Sequence, residues 1–344
     1  MKDVMKNRIV AFLLVVCVCI TMLFAASTVP ASAKAKPKLS AKSVVVVMGG
    51  AKKVTLKNGK GKWIIQGNGV ARLKSKKKTS VTIVPLKAGD TVVTCKVGKK
   101  KLSCKVKVLN SRIGDPKEDK LAYLLEGKTA TFSLPVPDGV SVSSVACSNG
   151  KASASHRVYY DSRAAENILE ITVRPKSPGR FDLIIYPADG SASVNRMFVI
   201  KNFRGKAKAK KNKSNYNKWR RQFMLSAAHT DMSTWEIIHS AGFLISSGRY
   251  SGKGGSTGIQ LWYGSNGTCV SGAKMMSDFM NDVGVKNKVK FAGKMKGPVD
   301  IFGANLMYGV QHRNIRIKLG GKVYELNPQP GFEWPYGIVK RKSL

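Results

Sequence analysis

Acidic residues are scarce in this 344-residue sequence, which has 19 Asp and Glu against 60 Lys and Arg. The formal net charge of +41 predicts attraction to polyanions. The last unit, residues 216–344, has no acidic cluster of the kind that binds calcium. Nucleic acid is the first partner that such a charge suggests, but the N-terminus indicates export. We therefore expect anionic cell-envelope polymers and no nucleic acid as partners, with solubility and compositional bias as the alternative explanation of the charge.

Cysteine and histidine are also few, at six and four residues. No Cys-x-x-Cys pair occurs, so nothing in the sequence supports a zinc ribbon or a thioredoxin-type redox motif. No histidine has a partner at the spacing of metal ligands. We therefore expect neither a metal nor an organic cofactor.

A long apolar run occurs near the N-terminus, over residues 9–26. Lys2, Lys6 and Arg8 precede it, and the small residues Ala31-Ser32-Ala33 follow it. This order is typical of a secretory signal peptide, which we place at residues 1–33. The chain is then secreted or at the cell surface. If the run is not cleaved, it is long enough to anchor the chain in a membrane.

Residues 36–110 are predicted to form an all-β sandwich. Short runs rich in β-branched residues alternate with turns of Gly, Lys, Asn and Asp. The runs are Val44–Val47, Val54–Leu56, Trp63–Ile65, Val81–Val84, Thr91–Val97 and Leu102–Val108. Trp63 is the expected anchor of the core.

Three stretches of this first unit are distinctive, namely residues 39–43 (Leu-Ser-Ala-Lys-Ser), residues 86–91 (Leu-Lys-Ala-Gly-Asp-Thr) and the closing strand at residues 104–108. With these stretches the unit resembles the bacterial immunoglobulin-like domains (group 2) of surface proteins. The resemblance implies a spacer or adhesion module of an extracellular bacterial protein, with no chemistry of its own. The lysine triplets at residues 76–78 and 99–101 are interpreted as solvated turns, with a dedicated ligand site as the alternative.

Two strands of this unit are expected to meet at a turn around Lys99-Lys100. In that register Cys95 lies directly opposite Cys104 on the neighbouring strand. A cross-strand disulfide is feasible in an exported protein, and two buried thiols are the alternative.

Residues 111–202 are predicted to form a second β-sandwich, because strand-like runs again alternate with Pro and Asp-Gly turns. Residues 203–215 follow as a basic linker. This stretch carries six positive charges between residues 204 and 213 and no acid, and it lacks apolar periodicity.

The last unit, residues 216–344, contains the candidate chemistry. Gly267-Thr268 leads into Cys269, and apolar residues then recur at helical spacing as far as Val283. Cys269 is therefore predicted in the first turn of a helix. Unpaired backbone N–H groups and the helix dipole stabilise a thiolate at that position.

A hairpin is predicted downstream. Residues 311–317 and 322–327 read as strands that flank the turn Gly320-Gly321. His312 begins the first strand and Asn327 ends the second, so both lie at the same edge of the sheet. Cysteine, histidine and asparagine in this arrangement would act as nucleophile, base and orienting group.

These motifs resemble the transglutaminase-like superfamily of papain-type folds, over roughly the last third of the chain. The resemblance implies an α+β domain with Cys269 as nucleophile, His312 as base and Asn327 as third member. The sequence departs from the family at Asn327, where Asp is usual, and at Arg313-Asn314, where many members have a small residue and Trp. The expected fold is thus two all-β immunoglobulin-like sandwiches followed by an α+β papain/transglutaminase-like domain.

The function that follows is acyl transfer on protein or peptide amides, with hydrolysis favoured over cross-linking. Gln260 is a candidate oxyanion donor beside the backbone N–H of Cys269. The alternative is a non-catalytic surface adhesion or cell-wall-binding protein whose papain-like domain has lost its activity.

Overall fold

A computed structural model describes residues 35–67, 69–109, 122–203, 212–227, 232–293 and 309–344. The predicted signal peptide lies outside these residues, as do residues 204–211 of the predicted linker. The end of that linker differs from the prediction, because Lys213–Asn215 belong to a helix whose first turn is capped by the side chain of Asn212.

The first sandwich consists of two sheets of four strands each in the described residues. Its strands are β1 (Lys38–Leu39), β2 (Ser43–Val47), β3 (Lys52–Lys57), β4 (Lys62–Ile65), β5 (Ala71–Lys77), β6 (Ser80–Pro85), β7 (Gly89–Val97) and β8 (Lys100–Leu109). The sheet orders are β1-β3-β6-β5 and β2-β8-β7-β4, and β2 runs parallel to β8. Apart from the added strand β2, this is the two-sheet order of an immunoglobulin-like domain. Trp63 is 4% exposed in its core, as predicted.

The second sandwich repeats this plan. Its strands are β9 (Ala122–Leu125), β10 (Ala130–Val136), β11 (Val142–Cys147), β12 (Ala152–Asp161), β13 (Glu166–Pro175), β14 (Gly179–Pro187) and β15 (Ser193–Ile200). The sheets have the orders β10-β13-β12 and β11-β14-β15-β9, and β9 pairs parallel with β15. The predicted multidomain β architecture is confirmed.

The predicted pairing of Cys95 with Cys104 is wrong. Strands β7 and β8 turn at Gly98-Lys99, one residue earlier than predicted, and Gly98 has φ +56°. Cys95 therefore faces Leu102, and Cys104 faces Val93. Both cysteines are free thiols in the sandwich core, and burial raises the pKa of each of them.

The C-terminal unit packs helices against an antiparallel sheet. Its elements are α1 (Lys213–Ala227), α2 (Thr234–Ser246), β16 (Arg249–Gly255), α3 (Gly258–Gly264), β17 (Asn266–Gly267), α4 (Cys269–Val283), β18 (Lys286–Gly293), β19 (Gly309–Leu319), β20 (Lys322–Leu326) and β21 (Ile338–Arg341). Ser233 and Glu236 form the predicted capping box of α2. Across the described residues, no helix is both long and apolar enough to span a bilayer.

Strands β2 and β15 each contribute to two cores, that of their own sandwich and that of the C-terminal unit. On β2, Val44 and Val46 face the first sandwich, whereas Val45 and Val47 pack in the core of the C-terminal unit. On β15, Met197 and Val199 face the second sandwich, whereas Phe198 and Ile200 enter the same C-terminal core. Alternate residues of a strand point to opposite faces, so both faces are buried over Val44–Val47 of β2 and over Met197–Ile200 of β15.

A close backbone approach anchors the first sandwich to the end of α4. The Ala51 N–H donates to the carbonyl of Gly284 over 2.7 Å, and the Lys52 ammonium donates to the carbonyl of Asn281. Gly284 has φ +81°, and a Cβ there would lie 2.6 Å from the Ala51 carbonyl oxygen. Glycine is required at this position for both its conformation and its size.

We predict that Gly284→Ala destabilises the protein more than Gly321→Ala does. Gly321 has a similar φ of +79° in open space, so its substitution costs only the left-handed backbone term of roughly 1 kcal/mol. Gly284→Ala adds the clash with Ala51, which we expect to cost about 1 kcal/mol more. Urea unfolding of both variants measures the difference, and equal losses would contradict a tight contact at Gly284.

Candidate functional site

Cys269 is the first residue of α4, as predicted. The preceding residue, Thr268, has an extended backbone. Its carbonyl accepts a hydrogen bond from the Ser271 hydroxyl over 2.8 Å. One turn further on, Gly272 packs so closely against the carbonyl of Pro328 that any Cβ would overlap it. This glycine lets the segment after β20 reach the start of α4. Its role was not predicted from the sequence, although Gly272 lies three residues after Cys269.

The predicted hairpin brings His312 and Asn327 together. Strands β19 and β20 pair across Gly320-Gly321, whose φ values of +54° and +79° suit a two-residue turn. His312 Nε2 lies 3.0 Å from Asn327 Oδ1, so the ring N–H donates to the amide oxygen. Asn327 is fully buried, and His312 and Cys269 are 8% and 9% exposed. The three residues thus form one partly closed cluster.

Electrostatics in this cluster favour an ionised thiol. Burial by itself raises the pKa of Cys269, but hydrogen bonds from His312 and from the backbone N–H groups of Arg313 and Val270 lower the pKa below its ordinary value. Burial lowers the pKa of His312, but its hydrogen bonds to Cys269 and Asn327 outweigh this effect and raise the pKa. Opposite shifts of this kind move the pair toward a thiolate beside an imidazolium, and the thiolate is the nucleophilic form of cysteine.

Gln260 has a clear local role. Its side-chain Oε1 accepts hydrogen bonds from the backbone N–H groups of Ser256 and Thr257 and from the Thr257 hydroxyl. Gln260 and Thr257 thereby form the capping box of α3. Capping accounts for a polar residue at this position, and the role of oxyanion donor stays a prediction.

A buried charge cluster stiffens the hairpin behind the site. Glu325 on β20 is 1% exposed and accepts hydrogen bonds from Asn314, Arg316 and Arg341 at 2.8–2.9 Å. Burial raises the pKa of Glu325, but these donors outweigh it and hold the pKa below its ordinary value. Sequence reasoning missed this cluster because its members lie on three strands.

His239, a second histidine of the C-terminal unit, packs against Trp334. Trp334 Nε1 donates to His239 Nδ1 over 2.8 Å, and the Trp334 ring covers Gly242 of α2. His239 is therefore a buried structural histidine. Within the described ranges, no group of three or more His, Cys, Asp or Glu is placed to hold a metal ion.

Comparison with known proteins finds similarity to solved structures of β-domains. No protein-family model and no curated protein matches the sequence. The solved structures that match include domains 5-6 of the S-layer protein SbsC, at 15% identity over 48% of this chain and 97% of that chain, with a TM-score of 0.19. The Escherichia coli adhesin FdeC matches at 11% identity over 48% of this chain and 63% of its own, with a TM-score of 0.19. The D00-D0 domain of intimin matches at 11% identity over 48% of this chain and 100% of its own, with a TM-score of 0.18.

These comparisons contradict the resemblance to the transglutaminase-like superfamily. The matching structures are S-layer, adhesin, intimin and other immunoglobulin-like domains, with no transglutaminase or papain-type enzyme among them. The prediction of a cysteine peptidase or acyltransferase is therefore wrong. The physical reason is that Cys, His and an amide in hydrogen-bonding order are a local geometry. Such a geometry recurs on unrelated folds and therefore does not define a family.

We predict that iodoacetamide labels Cys269 at a lower pH than an ordinary thiol, which ionises at about pH 8.5. Its lowered pKa keeps the thiolate populated as the pH falls, whereas burial raises the pKa of Cys147. Mass spectrometry of the full chain gives the labelling rate of each cysteine against pH. His312→Ala should move the Cys269 profile to higher pH, and His156→Ala, on β12, should leave it unchanged. Identical Cys269 profiles for all three proteins would contradict the thiolate–imidazolium pair.

We predict that Glu325→Gln lowers the free energy of unfolding by roughly 3 kcal/mol, since it leaves two arginines without their buried partner. The matched control is Glu170→Gln, because Glu170 pairs with a largely exposed Arg157 and should contribute little. The pKa of Glu325 is lowered on folding, so its stabilisation is present above the unfolded pKa and is lost as the pH falls through the folded value. Chemical unfolding at pH 7 and at about pH 3 measures both effects. A difference between wild type and Glu325→Gln that did not shrink in acid would argue against an ionised Glu325.

Proposed function

We propose that this chain is a non-catalytic protein of a bacterial cell surface, or one secreted there, that binds anionic cell-envelope polymers. The observation that carries the proposal is the unequal charge of its two sandwiches. Residues 36–110 contain 20 Lys and Arg against one acid, Asp90. Residues 111–202 contain 12 Lys and Arg against 10 acids.

The two sandwiches have nearly the same strand plan, so the fold does not require the lysines of the first one. A bias of composition acting on the whole chain would have enriched both sandwiches. A surface with a single carboxylate among 20 cations repels itself and attracts polyanions, whose bound counterions it releases. Residues 216–344 are also basic, with 18 Lys and Arg against seven acids, but the first sandwich has the greatest excess. The unequal charge of two sandwiches with nearly the same plan favours a binding role over the alternative of general solubility.

The rest of the chain supports this role because it holds the first sandwich with its lysines exposed. The first sandwich is held by β2 and by the contact at Gly284, while most of its lysines remain exposed. The second sandwich and the C-terminal unit then act as a frame that holds the basic module in place.

For Cys269, His312 and Asn327 we propose the role of a reactive-thiol site. The support is the hydrogen bond between His312 and Asn327 and the lowered pKa of Cys269. The alkylation profile described above tests this role independently of polymer binding.

The binding proposal predicts protection of lysines in one sandwich only. The chain from residue 34 onward is incubated with isolated bacterial cell walls, treated briefly with an acetylating reagent and analysed by mass spectrometry. We expect lysines within residues 36–110 to be protected, and Lys128, Lys151 and Lys176 of the second sandwich to react as in the free protein. Protection should disappear in about 1 M salt, where charge interactions are screened within about 3 Å.

The control is the same wall material after its anionic polymers have been extracted. Binding that persists on the extracted walls, or equal protection of both sandwiches, would overturn the proposed function.

A further inference from the structure

A concave patch on the first sandwich, here called the lysine basin, collects six lysines. They come from β4, β5 and β7 and from the turns beside them, and they surround a cavity of about 610 Å³ next to Gly61 and Trp63. The six are Lys60, Lys62, Lys76, Lys77, Lys78 and Lys96. All are exposed, no acid lines the cavity, and none of the six makes an ion pair within the described residues.

The backbone around the basin is held in place where the edge strands of the two sheets contact each other. Strand β4 is the edge of one sheet and β5 is the edge of the other. The indole N–H of Trp63 donates to the Lys77 carbonyl over 2.9 Å, and the Gly61 N–H donates to the Lys78 carbonyl over 2.8 Å. Because Trp63 is also a core residue, its hydrogen bond fixes the backbone at Lys77 to the interior of the sandwich. The basin is therefore not a set of loose turns.

The lysines of the basin lie close enough together to repel one another. Lys62 and Lys96 are direct cross-strand partners, a position where like charges destabilise a sheet. Beside them, β5 contains a bulge between Lys74 and Lys77, and Ser75 adopts φ +51°. Bulges at sheet edges change the local direction of the chain and are a recurrent feature next to binding sites. A bound anion would relieve the repulsion between Lys62 and Lys96.

We infer that the lysine basin binds neighbouring anionic groups of a linear polyanion. This inference rests on the proposed function and narrows it to one site. Six ammonium groups around one concavity match several phosphates or carboxylates in series better than a single anion. Lysine side chains are flexible point charges, so the site selects for charge density along a chain rather than for one planar group.

The test compares two triple variants of the chain from residue 34 onward that lose the same charge. Lys62→Gln with Lys77→Gln and Lys96→Gln removes half of the basin. Three exposed lysines of the same sandwich outside it are the control, namely Lys42→Gln with Lys87→Gln and Lys105→Gln. Binding to inorganic polyphosphate and to poly-L-glutamate is measured by calorimetry at about 0.1 M salt, with inorganic phosphate as the single-anion probe. We expect the basin variant to bind polymer about tenfold more weakly or worse, and the control to lose less than about threefold.

The outcomes separate the two proposals. Equal losses in both variants, or inorganic phosphate bound as tightly as the polymers, would overturn the basin while general polymer binding stands. No polymer binding by the wild-type chain would overturn the proposed function as well. Comparison of the two polymers tells phosphate from carboxylate chains, and binding of either supports the basin. Thermal melting excludes unfolding as the cause, because loss of the Lys62–Lys96 repulsion should leave the melting temperature unchanged or higher. If the triple basin variant melts at a lower temperature than the wild type, polymer binding is compared between the single variants Lys96→Gln and Lys42→Gln instead.

Discussion

The burial of both faces of β2 and β15 is the constraint on which the assembly of this chain depends. Each strand completes the core of its own sandwich with one set of side chains and packs in the C-terminal core with the other. Neither sandwich can move away without exposing Val45 and Val47, or Phe198 and Ile200. Burial of a side chain of this size is worth about 2 kcal/mol. These four residues therefore resist separation of the units.

This packing also positions the thiol site. Helix α4 ends at Gly284, where the backbone of the first sandwich contacts it, and begins at Cys269, where the segment after β20 packs against Gly272. The hairpin that carries His312 is in turn held by Glu325 and its arginines. The cluster of Cys269, His312 and Asn327 is thus fixed from both sides, although the comparisons with known proteins contradict the resemblance to the transglutaminase-like superfamily.

Local patterns in this sequence predict its structure better than they predict contacts between distant residues. The start of α4 at Cys269, the capping box of α2 and the hairpin at Gly320-Gly321 were all predicted, because capping and turn chemistry act over a few residues. The pairing of Cys95 with Cys104 failed, because moving the turn by one residue slides one strand by two positions along its partner. The family resemblance failed because three residues in the right order specify a geometry and not a fold.

The sequence by itself determined the excess of charge in residues 36–110, the alternation of strand and turn, and the place of Cys269 at a helix start. These properties depend on composition and on neighbours within a few residues. Only the tertiary structure decided that β2 and β15 are buried on both faces, that Glu325 meets two arginines, and that lysines from three strands surround one cavity. Such contacts join residues far apart in the chain, and their geometry follows from strand register and sheet packing, which no short stretch of sequence encodes.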